Sequence, residues 1–158
     1  MQSFKDSEGR SWDLAITIDA IKRVKAAIPE VDLLALDDGK PPLVARLSVD
    51  VVLLCDVLFA LIKPQTDAKG VTNEQLGQAM GGGEVAAAMK AFWSELHDFF
   101  QKLDRNDLCR IVTTQQKMLA GIVEHQDRRM AAIDLEQLIE SHLSPRGNSS
   151  IGLPESSA

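Results

Sequence analysis

Cysteine is scarce in this chain. Cys55 and Cys109 are the only two, neither belongs to a CxxC pair, and both fall inside helix-like segments, which fits buried thiols in a reducing compartment and argues against a disulfide. Histidine is as sparse: His97, His125 and His142 lie far apart, and none stands four residues from another His or a Cys, so no zinc or di-iron spacing is present. Basic charge is in deficit, with 17 Lys and Arg against 23 Asp and Glu for a net charge of −6. No dense Lys/Arg block offsets that balance, and an acidic field repels phosphate, so nucleic acid is not an expected partner. Long apolar runs are absent too, because the longest, Val49 to Ile62, is interrupted by Asp50 and Asp56; no membrane span is expected. The opening Met-Gln-Ser-Phe-Lys-Asp lacks the basic start and apolar core of a signal peptide, which leads to the expectation of a cytoplasmic protein.

Catalytic signatures are also missing. Gly81-Gly82-Gly83-Glu84 opens a helix whose free N–H groups could hold an anion, but the GxxxxGK[ST] lysine and a preceding parallel strand are not there. Asp50 and Asp56 share an apolar helix at a spacing that does not bring paired carboxylates together; Asp50 suits the first turn of its helix, and Asp56 a solvated edge or an ion pair with Arg46 or Lys63. His97 beside Asp98 reads as a helix-surface pair. Neither cysteine has a neighbouring histidine to activate it. The sequence therefore reads as that of a non-enzyme, with no catalytic residue, no metal and no cofactor.

What is present is a composition for folding: 45% hydrophobic residues over 158 positions, enough for one compact domain with extensions. The expected fold is mainly α, a helical bundle with a small N-terminal β-hairpin and a long C-terminal helix. Phe4, then Trp12, Leu14 and Ile16, alternate along two short extended segments, and Asp6-Ser7-Glu8-Gly9 supplies the turn between them. Thr17 caps a helix with Ile18, Ile21, Val24 and Ile28 at its period, stopped by Pro29. Residues 31–42 form a corner closed by Asp38-Gly39 and Pro41-Pro42. Ser48 is expected to cap a broad apolar helix at the centre of the core, ended by Pro64. Thr72 to Gln75 has capping-box spacing, opening a short helix that Gly81-Gly82-Gly83 terminates. Glu84 then begins an aromatic helix through Phe92, Trp93, Leu96, Phe99 and Phe100. From Asp104, read as a cap, a helix or two runs to about Leu143. The expected domains are thus 1–103, hairpin and helical core; 104–143, helical extension; and 144–158, a small polar tail expected to be disordered.

Four stretches in this order, FKDSEGRSWDLAITIDAIKRVK, SVDVVLLCDVLFALIKPQ, KPQTDAKGVTNEQLGQAM and AFWSELHDFF, together resemble tail assembly chaperones of siphophage-type phages and prophages. The resemblance covers Ser3 to Leu103 and lies in segment order. It implies a mostly helical, self-associating protein, encoded between the tail tube and tape measure genes, that coats the tape measure protein, recruits tail tube subunits and is left out of the finished virion; many members also exist in a longer frameshifted form. The competing expectation from another class is a structural tail-completion or head–tail connector protein retained in the particle.

A two-stranded hairpin is marginal alone, so it must lie on helices or pair with another copy. A homo-oligomer is accordingly expected, with Phe4, Trp12 and Leu14 near the contact. Phe92, Trp93 and Phe99 either fill the core or face a client, and these six are the candidate protein-interaction residues.

Overall fold

The computed structural model describes residues 1–121. The continuation of the last helix towards Leu143 and the polar tail 144–158 lie outside the described residues. Within them the fold is mainly α with a small N-terminal hairpin.

Strands β1 (Gln2–Lys5) and β2 (Ser11–Leu14) pair antiparallel with Phe4 opposite Trp12. Strand alternation turns Phe4, Trp12 and Leu14 to the same side, and all three are buried. Gly9 takes a φ of 80° in the turn, a conformation that a side chain would strain. Helix α1 (Ile18–Ala27) starts where Thr17 Oγ1 accepts the Ala20 N–H at 3.1 Å, and it stops one residue short of Pro29. Its inner face buries Ala20, Ile21 and Val24, while Ile18 is left exposed. The corner 28–42 is more than a connection: Val31, Leu33 and Leu36 are fully buried there, so it adds to the core.

Two helices occupy positions where the proline pattern implied only boundaries. Helix α2 (Leu43–Val49) follows Pro42, and α4 (Lys63–Lys69) has Pro64 in its first turn, where a missing N–H leaves no helical bond unmade. Ser48 is not a cap; it lies in α2 and donates its hydroxyl hydrogen to the Val44 carbonyl at 2.9 Å. Asp50 caps α3 (Val51–Leu61) instead, accepting the Leu53 N–H at 3.0 Å. Helix α3 is central, packing against α1, α2, α4, α5 and α6. Helix α4 ends at Gly70, which is left-handed with φ 69°. The capping box forms as its spacing suggests, between Thr72 and Gln75 at the start of α5 (Asn73–Gln78). The three glycines do not terminate that helix: α5 is already over by Ala79, Gly81 is the N-cap of α6 (Gly82–Lys102), and Gly82 and Gly83 form its first turn.

Helix α6 carries the hairpin, and β1 is the strand that lies most closely along it. The alternative of a hairpin completed by another copy is thus replaced by packing within the chain. Its apolar face buries Ala88, Ala91, Phe92, Trp93, Leu96 and Phe100.

Asp104 is not the cap of the following helix. It closes α6 in the left-handed region at φ 61°, with its N–H on Gln101 O at 3.1 Å and the Arg105 N–H on Phe100 O at 2.9 Å. This is a Schellman closure with a side chain where glycine is favoured. Asp104→Gly should raise stability by about 0.5–1 kcal/mol. Urea midpoints check it, and a loss would show that the carboxylate itself supports the cap.

The last described helix spans 106–121. Asp107 in its first turn pairs with Arg105, whose hydrogen bond holds the Asp107 carboxyl down at about 2. Leu108 and Val112 are buried, and the first compact unit runs Met1–Gln116, past the boundary expected at 103. The second unit begins at Lys117.

Candidate protein-binding site

Five of the six candidate interaction residues are core. Phe4, Trp12, Leu14, Phe92 and Trp93 are each 4% exposed or less, and Phe99 is half-buried beside Phe100, with ring centroids 5.8 Å apart. The hairpin residues lie between sheet and helix because that is the only large apolar face available to a two-stranded sheet. None of Phe4, Trp12 or Leu14 can therefore serve a contact between copies of the folded chain. The outer edge of β2 is occupied as well: the Gln65 side chain accepts the Asp13 N–H at 2.9 Å and donates to the Asp13 carbonyl at 2.8 Å, as a neighbouring strand would, and Lys69 Nζ donates to the Ser11 carbonyl at 3.0 Å.

The turn of the hairpin is organised by Asp6, a buried carboxylate. It accepts the backbone N–H groups of Glu8 and Arg10, the Arg10 Nε at 2.7 Å and the Trp12 Nε1 at 3.0 Å. Burial alone would raise its pKa, but the hydrogen bonds from Arg10 and Trp12 outweigh that and hold it below the ordinary carboxylate range. Lys69 Nζ stands 4.4 Å from the centre of the Trp12 ring. Every one of these groups is engaged inside the fold, which identifies the cluster as a clasp for the turn.

The uncovered apolar surface lies elsewhere, at the junction of α2 and α3. Val49, Val51 and Val52 are 79%, 46% and 69% exposed. Helix α3 is apolar over most of its circumference, with Asp56 its one charged residue: Leu54, Val57, Leu58 and Leu61 are buried, yet Val52, Cys55 and Phe59, at helical spacing on another side, are exposed or half-buried. The breadth of this apolar run was visible in the sequence, and its usual meaning is complete burial. Here the chain provides no cover on that side among the described residues.

Continuing along the same face, α3 and the end of α1 border a cleft of about 660 Å³, with Phe59 and Ala60 on one wall, Ala26, Ala27 and Ile28 on the other, and Asp56 and Asn73 at its rim. Asp56 takes neither of the ion pairs foreseen for it; its partner is the Asn73 amide, at 3.4 Å. Beside it, burial and then the Asp56 charge push the Cys55 thiol up, away from the reactive thiolate. Both cysteines are free and only half-buried, and Cys109 Sγ donates weakly to the His97 carbonyl at 3.8 Å. Among the described residues no group of three or more His, Cys, Asp or Glu side chains is placed to hold a metal ion, and no helix is long and apolar enough to cross a membrane.

No family model, curated protein or solved structure matches this chain. The geometry therefore stands by itself: three exposed valines flanking the Asp50 cap at the α2–α3 junction, next to a cleft, on a helical core. Such a surface suits the capture of another apolar surface.

Proposed function

We propose that this protein is a non-enzymatic assembly chaperone of a tailed-phage tail module, which binds the tape measure protein and brings tail tube subunits to it. The observation that carries this reading is the uncovered edge where α2 meets α3: Val49 at the end of α2 and Val51 and Val52 at the start of α3 stand in solvent. Leaving valines exposed on a central helix forgoes burial that its other side chains achieve, and a partner's apolar face recovers it. The homo-oligomer that the resemblance implies forms through this edge in place of Phe4, Trp12 and Leu14. The tape measure protein as client is what the resemblance in segment order to siphophage-type chaperones implies.

Binding through this edge is driven by apolar burial, so it should tolerate salt and show a negative heat-capacity change. Co-expression with the tape measure protein of the same module should increase the soluble fraction of that protein and yield a complex at moderate salt. Val52→Asp should abolish co-purification with the fold intact, since an aspartate in the first turn of α3 is favoured by the helix dipole. A tape measure protein no more soluble with this chain than without it would overturn the reading.

A further inference from the structure

The cleft between α1 and α3 carries a charge pattern that specifies its occupant. Arg23 on its border is spoken for: Nε donates to the Ala60 carbonyl at 3.2 Å, one terminal nitrogen to the Leu61 carbonyl at 2.9 Å, and the other pairs with Asp19. It thereby satisfies the last carbonyls of α3 and places its charge at the negative end of that helix. Lys63 pairs with Asp67 and stands 5.3 Å from the centre of the Phe59 ring. Asp56 differs from both. It has no ion-pair partner among the described residues, and its hydrogen bond comes from a neutral amide. Asp56 is thus the charged group of the cleft lining left without a counter-charge, and a cation brought to it beside the apolar wall of Phe59 gains a charge-assisted partner.

We propose that this cleft is a docking groove for a basic amphipathic helix of another polypeptide, whose apolar side chains enter beside Phe59 while a Lys or Arg one turn away pairs with Asp56. The inference rests on the reading of α3 as a protein-binding helix and names the chemistry that it selects. A helix is favoured because Val52, Asp56 and Phe59 run along α3 at i, i+4 and i+7, and because exposed Ala26 and Ala27 on the facing wall let a backbone approach closely. A second copy fits less well, since two chains of net charge −6 repel.

The test uses the full chain and synthetic amphipathic helices of about 20 residues, alike in their leucine stripe and carrying Lys, Gln or Glu beside it. Calorimetry should give the Lys helix about fivefold tighter binding than the Gln helix, with the Glu helix weakest. Asp56→Asn should bring the Lys and Gln helices to within about twofold of each other. Ala27→Phe, which fills the cleft from an exposed position, should block all of them; Ala26→Arg on the same wall is the second block should the first variant fail to fold. Equal binding of Lys and Gln helices, a Lys preference that survives Asp56→Asn, or binding indifferent to both blocks overturns the proposal. So does a dimer, seen by light scattering, that the blocks dissociate, because the occupant is then a second copy. Tape measure co-purification lost in Val52→Asp but untouched by Asp56→Asn and by the blocks refutes the groove and leaves the chaperone reading standing. Lys-helix binding without any tape measure complex does the reverse.

Discussion

Trp93→Ala should cost about 3–5 kcal/mol, the loss typical of a large aromatic side chain removed from a site that cannot collapse around the gap. Trp93 is 1% exposed and packs edge-on against Phe92 with ring centroids 5.0 Å apart, on the buried face of α6. Trp93→Phe should behave differently. The indole N–H of Trp93 is buried and has no hydrogen-bond acceptor among the described residues, so phenylalanine removes an unsatisfied donor along with part of the ring. Lost packing and recovered desolvation oppose each other, and the net change should stay within about 1.5 kcal/mol. Chemical denaturation of both variants checks this. A loss under about 1 kcal/mol for Trp93→Ala would place the side chain outside the core.

Local signals in the sequence were legible wherever one residue controls one bond. Thr17 and the Thr72/Gln75 pair are caps because their side chains reach N–H groups three residues away, a distance fixed by the chain itself. Proline was ambiguous, since it ends a helix when it lies inside and favours one when it lies in the first turn; Pro29 acts in the first way, whereas Pro42 and Pro64 stand at the starts of α2 and α4. Glycine misled similarly, for Gly81 to Gly83 open α6 instead of closing α5.

The binding surface was harder to read for a different reason. Hydrophobic periodicity shows which residues seek cover and says nothing of where cover is available. Phe4, Trp12 and Leu14 are contact candidates because a marginal hairpin with an open edge invites pairing, and Phe92 and Trp93 because an aromatic helix can face a client, but hairpin and α6 pack on one another and all five residues are buried. The valines at the α2–α3 junction read in the sequence as part of a buried apolar helix, although a helix with so broad an apolar surface in a small domain has more sides than its neighbours can fill. Finding them required the positions of α1, α2 and α5 around α3. Likewise, Asp6 was recognisable as a turn residue, but its bond to the Trp12 indole depends on the strand register.

That bond makes Asp6→Ala the second large effect, with an expected loss of about 2–4 kcal/mol, from the buried Trp12 donor left unsatisfied and the charge-assisted bonds lost to a partly exposed Arg10 and to the turn backbone. The substitution strands the Arg10 guanidinium and the Trp12 N–H and removes the acceptor for two backbone N–H groups of the turn. Asp6→Asn separates charge from shape. An amide of the same size offers one acceptor oxygen and turns an NH₂ towards donors, so it should also destabilise at neutral pH. The native carboxyl titrates below its ordinary value in the folded state: burial opposes ionisation, and the bonds from Arg10 and Trp12 more than compensate. A group depressed on folding contributes stability that is complete above its unfolded pKa, near 3.9, and disappears as the pH falls through the lower folded value. The difference between native protein and Asp6→Asn should consequently be constant from about pH 7 to 5 and shrink below about pH 4. Urea denaturation of both proteins at about pH 7 and about pH 2.5 measures it. A gap of equal size at the two pH values would mean that the Asp6 carboxyl gains nothing from its ionised form, and that the clasp depends on its shape alone.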